Sequence, residues 1–374
     1  MDLKEKRDKD FANCRRKEVM SKYLSSKYAN LEPYTPGEQP KTRILTKLNT
    51  NESPYPPIPK VAEAAAEAAK SLQLYPDPDC TELRKAIANI MGVDPDEVIC
   101  SNGSDETLYF AYLAYCDEAK PAVFPAISYG FYPVFAEITG VNYKTIPLKE
   151  DFSIDPADYY DAEGPIFIAN PNAPTGIPLS RAEIEDILQH NPDNIVVIDE
   201  AYVDFGTETA IPLIHKYDNL LVIQTFSKSR SLAGMRLGYG IANRDLIADL
   251  NALRFSTNPY NIDRVAMAAG IASLEHDEVN REHCRTVMET REYTVDRLKK
   301  MGFVMTESTA NFIFVRHPDV SGEVLFRKLR ERGVIIRHFD KPEICEYNRI
   351  TIGSREQMDI LLREVSAILI ELLS

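Results

Sequence analysis

The stretch PIFIANPNAPTGIPLSRAEIEDILQHNPDNIVVIDEAY, residues 165–202, decides the fold. It opens on a near-continuous apolar run, Pro165–Ala169, and closes on another, Asn194–Ile198. Strands covered on both faces have this composition, because neither face meets water. Between them, Ser180 offers a hydroxyl N-cap to a helical pattern that ends at Gln189. Strand, helix, strand is the crossover that parallel pairing requires.

The same rhythm extends in both directions. Short apolar runs recur at Glu97–Cys100, Ala122–Phe124, Val141–Ile146, Leu220–Thr225 and Leu237–Ile241. Helical patterns precede them at Lys60–Leu72 and Cys80–Met91, the second with Leu83, Ile87 and Ile90 on one face. The alternation predicts an α/β fold with a mainly parallel, seven-stranded type of sheet in a large domain. After Asp263 the pattern changes. A long helical stretch runs to about Lys300, strands follow at Phe312–Val315, Val334–Arg337 and Arg349–Ile352, and a last helix spans Arg355–Leu373. This predicts a smaller α+β domain. Upstream, Tyr34 to Pro59 is rich in proline, which blocks helices and removes donors, so an extended arm docking on another surface is expected.

Composition narrows the function. The chain has 374 residues, 44% hydrophobic and 27% charged, enough for two domains with real cores. A formal net charge of -14 argues against nucleic acid or an anionic membrane as partner. Cys14, Cys80, Cys100, Cys116, Cys284 and Cys345 include no CxxC pair, and the histidines form no HExxH, so no metal is expected and the cysteines suit reduced cytoplasmic thiols. No apolar run reaches the length of a membrane span. Residues 1–19 mix acids and bases, unlike a secretory signal, and suit a disordered or helical extension, with Met20 as an alternative start.

Four signals carry chemistry. Thr225-Phe226-Ser227-Lys228-Ser229-Arg230 continues to Gly234-Met235-Arg236-Leu237-Gly238. A lysine directly after a buried strand can be desolvated, its amine kept neutral enough to attack an aldehyde. Ser227, Ser229 and Arg236 offer hydroxyls and a guanidinium fork to a phosphate. Asp199, in Val197-Ile198-Asp199-Glu200-Ala201-Tyr202, ends a strand at the carboxyl edge, where open α/β sheets take their ligands. Asn170-Pro171-Asn172-Ala173-Pro174-Thr175-Gly176 falls on the same edge, as a turn. Ser101-Asn102-Gly103-Ser104-Asp105-Glu106 opens a helix after a strand, either as a plain N-cap or as an anion cradle.

Together, in this order, the four resemble the fold-type I pyridoxal-phosphate enzymes, the aspartate aminotransferase superfamily, from Tyr34 to the C-terminus. Leu48-Asn49-Thr50-Asn51-Glu52-Ser53-Pro54, Leu74-Tyr75-Pro76-Asp77-Pro78, the Ser101–Glu106 stretch and Asn348-Arg349-Ile350-Thr351-Ile352-Gly353 are similar to histidinol-phosphate aminotransferases. The resemblance implies pyridoxal 5'-phosphate as cofactor. Lys228 would hold it as an imine and shuttle the substrate proton. Asp199 would keep its ring nitrogen protonated, Tyr202 would bond its ring hydroxyl, and Tyr129 would stack on the ring. Gly103, Ser104, Asp105, Ser227 and Arg236 would hold its phosphate, with Tyr75 reaching the phosphate of a partner subunit. Arg349, Arg337 and Tyr34 would bind the substrate. Many relatives carry asparagine where Ala173 stands, so either Asn172 takes over the contact to the ring hydroxyl or Tyr202 makes it alone.

The implied organisation is an extension at 1–19, an arm at 20–59 associated with the small domain and a dimer interface, a cofactor domain at 60–262 and a small domain at 263–374. The implied activity is transfer of an amino group between glutamate and imidazole-acetol phosphate in histidine biosynthesis, by a homodimer in the cytoplasm. An aromatic or broad-specificity aminotransferase and a threonine-phosphate decarboxylase share most of these residues. A sensor built on this fold would carry an added DNA-binding domain, for which residues 1–19 are too few.

Overall fold

The computed structural model describes residues 21–29, 31–39 and 45–374. The expectations for residues 1–19, for Met20 and for Pro40 lie outside the described residues.

Seven strands form the central sheet: β2 (Val98–Ser101), β3 (Ala122–Pro125), β4 (Tyr143–Ile146), β5 (Ile166–Ala169), β6 (Val196–Asp199), β7 (Leu220–Thr225) and β8 (Gly238–Ala242). They lie in the order β2-β8-β7-β6-β5-β3-β4. Neighbours pair in parallel except β8, which runs antiparallel to both β2 and β7. The expected runs thus fall within a residue or two of the strands. β4 differs in kind: it starts at Tyr143 and is largely exposed, whereas β2 at the opposite edge of the sheet is buried throughout.

Side-chain alternation along the strands feeds a first core, with one layer on each face of the sheet. Ile166, Ile168, Val196, Ile198, Leu220 and Val222 join α1 (Pro59–Ala68), α2 (Thr81–Met91) and α5 (Arg181–Gln189) on one face. Phe167, Val197, Leu221 and Ile223 join α3 (Ser104–Tyr115), α4 (Tyr132–Thr139) and α6 (Arg244–Thr257) on the other. Tyr112 of α3 stacks on Phe167 with centroids 4.2 Å apart. Ser180 caps α5 through a reciprocal capping box with Glu183, as its position predicts.

The helical stretch expected from Asp263 to Lys300 is two helices, α7 (Arg264–Glu275) and α8 (Asp277–Lys300), parted at His276. Asp277 opens α8 as a first-turn acid and pairs with Arg230 at 2.8 Å, which fixes the break. A second core gathers Cys284, Val287 and Leu298 of α8 with strand β10 (Phe312–Arg316), α9 (Gly322–Glu331) and α10 (Arg355–Leu373). Its four-stranded antiparallel sheet has the order β12-β13-β10-β9, with β9 at Val304–Met305, β12 at Arg337–His338 and β13 at Asn348–Thr351. The expected strand Val334–Arg337 is split into β11 (Val334–Ile335) and β12, and the two halves join different sheets. β1 (Thr46–Lys47), from the proline-rich arm, pairs in parallel with β11 and seats Leu48 in the second core.

Antiparallel β8 brings its first residue to the edge where β2 and β7 end: Gly238 lies opposite both Ser101 and Thr225. There it touches the start of α3. A methyl group on Gly238 would lie 2.4 Å from the Ser104 amide nitrogen and 2.6 Å from the Gly103 carbonyl carbon. Backbone atoms at that distance must move, so Gly238→Ala is expected to cost about 1–3 kcal/mol in urea denaturation. Gly234→Ala, where a methyl meets nothing within 4 Å, should leave the midpoint unchanged.

Candidate active site

The carboxyl edge of the sheet forms the floor of a cavity of about 300 Å³. β6 delivers Asp199, β7 delivers Ser227 and Lys228, the turn before β8 delivers Arg236, and the start of α3 delivers Ser104 and Asp105. The second core and the arm supply the opposite wall, through Arg337, Arg349, Tyr34 and Asn49 to Glu52.

Lys228 donates from Nζ to the Thr50 carbonyl at 3.2 Å and lies 5.8 Å from the Tyr202 ring centroid. Burial lowers its amine to about 8, with the charges of Arg349 and Arg236 acting the same way against Glu52 and Asp105. Asp199 is 4% exposed. It accepts from the Ala201 amide at 3.3 Å and from the Tyr132 hydroxyl at 3.4 Å, and has no cationic ion-pair partner among the described residues. Burial, reinforced by Asp105, pushes it up to about 7. The adjacent Glu200 points into the core, where Thr209, the Ala210 amide and Gln224 satisfy it. Strand alternation thus divides one acid pair between site and core.

An anion cradle lies beside Lys228. Gly103 is the N-cap of α3 and provides no side-chain cap, which leaves the first-turn amides facing outward. Its φ of +77° and the 2.5 Å separation a methyl would have from Arg236 Nη2 make glycine the residue that fits. Arg236 reaches the Ser227 hydroxyl and the Asp105 carboxylate, both at 3.4 Å. Tyr129 donates to Asp105 at 2.7 Å, which orients its ring as a wall of the cavity.

Two guanidiniums face this floor. Arg337 and Arg349 are direct cross-strand partners on β12 and β13. Like charges so placed repel, so an anion between them is favoured. Arg349 donates from Nη2 to the Asn49 carbonyl at 3.1 Å, and its buried Nε has no partner among the described residues. Burial lowers its pKa from the ordinary value, and Arg337 adds to the effect. Tyr34 stacks on Phe131 at 4.3 Å at the rim.

Three expected residues are not brought to the cavity: Asn172, Tyr75 and Ser229, the last because the chain after Lys228 turns its side chain to a separate cavity. Asn172 is 1% exposed, and its amide accepts from Ser128 and donates to Ile127 and Thr175; Ala173 lines the cavity in its place. Tyr75 is 76% exposed and stacks on Tyr260 at 4.5 Å, away from this chain's own cavity. Conversely, Asn51, Glu52 and Tyr132 were given no role by sequence reasoning. Asn51, in a left-handed conformation with φ 57°, donates to the Tyr202 hydroxyl at 3.0 Å. An asparagine inside a proline-rich arm is a weak sign of that conformation; for Tyr132 the sequence carries no signal.

Residues 43–365 match the family described as aminotransferase class I and II. The chain belongs to this family. Among relatives of this aminotransferase, a histidinol-phosphate aminotransferase of Acinetobacter baumannii is 51% identical over 340 residues, covering 90% of this chain and 94% of the relative. One from Clostridium botulinum is 48% identical over 351 residues, covering 94% and 99%. The crystal structure of histidinol-phosphate aminotransferase from Sinorhizobium meliloti in complex with pyridoxal-5'-phosphate superposes with a TM-score of 0.79 at 23% identity, over 86% of this chain and 91% of that one. At that identity the likeness speaks for the fold.

The two desolvated groups make the ligand-free aminotransferase sensitive to pH. Asp199 has a folded value above its ordinary 3.8, so stability is lost as pH rises from about 4 through about 7. Lys228 has a folded value below its ordinary 10.5, so stability is gained as pH rises from about 8 towards 10.5. Asp199→Asn is therefore expected to stabilise the ligand-free protein by roughly 2–4 kcal/mol at pH 8, with no difference near pH 4. Urea denaturation at the two pH values measures it, and equal midpoints at pH 8 would refute the electrostatic account.

Proposed function

We propose that this aminotransferase carries pyridoxal 5'-phosphate on Lys228 and moves an amino group between histidinol phosphate and 2-oxoglutarate, giving imidazole-acetol phosphate and glutamate, as in histidine biosynthesis. The fit of the cofactor rests on three observations. Asp199 lacks a cationic partner, Lys228 is held near neutrality, and an uncapped helix start adjoins Ser227 and Arg236. The cofactor, when bound, supplies an electron sink for the pair left when the substrate loses its proton.

The chain's own residues do the rest. Asp199 holds the proton on the ring nitrogen, and that charge draws its carboxylate back into the ionised range. Tyr202, anchored by Asn51, bonds the ring hydroxyl, and Tyr129 packs on the ring. The amides of Ser104 and Asp105 at the start of α3, with Ser227 and Arg236, would hold the phosphate, while the Gly103 amide is taken by the Ser101 carbonyl at 2.9 Å and Gly103 serves by its conformation. Lys228, freed as an amine when the substrate's amino group displaces it from the cofactor, would take the proton from the substrate carbon that bears nitrogen and pass it to the cofactor carbon in the same half-reaction; with the keto acid it would carry the proton the opposite way. An amine with a value of about 8 is near the best strength for that exchange at neutral pH. Asn172, engaged by Ser128, Ile127 and Thr175, takes no part.

The substrate reading is carried by the paired Arg337 and Arg349. Histidinol phosphate has a phosphate where glutamate has a carboxylate, so one pocket accepts two anions. A planar fork pairs with either group, and a second guanidinium supplies the extra charge a phosphate needs. Tyr34 closes the rim. Both close relatives named above bear the same activity in their names. We also read the enzyme as a cytoplasmic homodimer. Tyr75 stands exposed, stacked on the exposed Tyr260 and next in sequence to the exposed Leu72 and Leu74, an apolar surface suited to a second copy whose phosphate Tyr75 would reach.

Assays of both half-reactions test the reading. Lys228→Ala should abolish multiple turnover and the visible absorbance of the imine between lysine and cofactor. Arg349→Ala should raise KM at least tenfold for glutamate and for histidinol phosphate alike, whereas Arg337→Ala should harm the phosphate substrate more. If wild type turns over phenylalanine with 2-oxoglutarate far better than histidinol phosphate, an aromatic aminotransferase replaces this reading.

A further inference from the structure

Behind the loop that carries Lys228 lies a separate cavity of about 370 Å³. Ser229 and Arg230 face it, together with the first half of α8 and the end of α2 at Ile90 and Met91. Arg230 is 6% exposed. Its Nη2 pairs with Asp277 Oδ1 at 2.8 Å, but its buried Nη1 has no hydrogen-bond partner among the described residues. A buried charged donor left unmade is destabilising, so an acceptor at that N–H is favoured. Asp277 is not available for it: its second oxygen is taken by Arg281.

Arg281 and Arg285, one turn apart on α8, line the same cavity. Their side chains are 69% and 63% exposed, and their carboxylate partners, Asp277 and Glu282, lie on the same helix. The Arg285–Glu282 pair is exposed on both sides and exchanges readily for a better acceptor, whereas Arg281 keeps its Nε on the largely buried Asp277 and bonds nothing through its Nη groups among the described residues. Three guanidiniums line one cavity in a chain of net charge -14, with Asp204 and Asp277 as the acids that line it beside them and Glu282 held by Arg285 outside the lining.

We infer that this cavity is a second binding site, for a small oxyanion, held by Arg230 Nη1 with Arg281 and Arg285 closing over it. Cys284 and Met288 give it an apolar flank, so an anion with a short carbon body fits as well as free phosphate. The shared chemistry is a singly or doubly charged oxygen group. The inference is independent of the substrate assigned above.

Calorimetric titration of the cofactor-loaded enzyme with inorganic phosphate, and separately with acetate, tests it. Arg349→Ala removes the anion pocket proposed for the substrate, so any event that survives there reports the second site. The expected result is a surviving event for at least one anion, weakened tenfold or more when Arg281→Ala and Arg285→Ala are added. Both are exposed positions, and Arg230 keeps its buried pair in that variant. The stronger of the two anions identifies the group. No surviving event, or one indifferent to Arg281 and Arg285, overturns the inference. A crystal structure grown with the same anion gives the second measurement: density for it within hydrogen-bond distance of Arg230 Nη1 supports the site, and water alone there overturns it.

Discussion

Everything at the site depends on the close approach of β8 to the start of α3. Because β8 runs antiparallel between β2 and β7, its first residue meets their last residues at one edge. Gly238 has no side chain, so the Ser104 amide and Gly103 carbonyl come within what would be 2.4–2.6 Å of a methyl group. That contact aims the amide-rich start of α3 at Arg236 and Ser227. A cradle of this kind is a backbone feature, and only packing at backbone range makes it.

The site is also electrostatically unfinished. Asp199 is buried without a cation, Lys228 is buried enough to lose affinity for its proton, and Arg349 faces Arg337 directly. Each arrangement costs stability in the free chain. Each is relieved by one class of ligand: a protonated ring beside Asp199, an aldehyde at Lys228, an anion between the arginines. The two hydrophobic cores and the sheet offset that cost, and rigid strand ends keep the groups from relaxing towards one another.

The arm joins the two halves of the site. Through β1 it pairs with β11 and buries Leu48 in the second core; three residues later Asn51 bonds Tyr202, and the Thr50 carbonyl accepts from Lys228. Asn311 holds the Asn51 carbonyl from the second sheet at 3.0 Å. A short extended segment therefore registers the wall bearing Arg337 and Arg349 against the floor bearing Asp199 and Lys228.

By itself, the sequence determined the layered α/β fold, because apolar runs such as Ile166–Ala169 and Leu220–Thr225 record burial on both faces. It also determined which loops carry chemistry, because Asp199 and Lys228 directly follow or end such runs. Local interactions sufficed for Ser180 at the start of α5 and for the whole of α10. Only the tertiary structure decided that β8 is antiparallel, that the stretch beyond Asp263 breaks at His276, and that Arg337 faces Arg349. It alone turned Asn172 away from the cavity, towards Ser128 and Ile127, brought Asn51 to it, and set the buried Tyr132 against Asp199. The division has one physical reason: burial leaves a periodic trace along the chain, whereas hydrogen-bond partners and strand direction are set by residues tens to hundreds of positions apart.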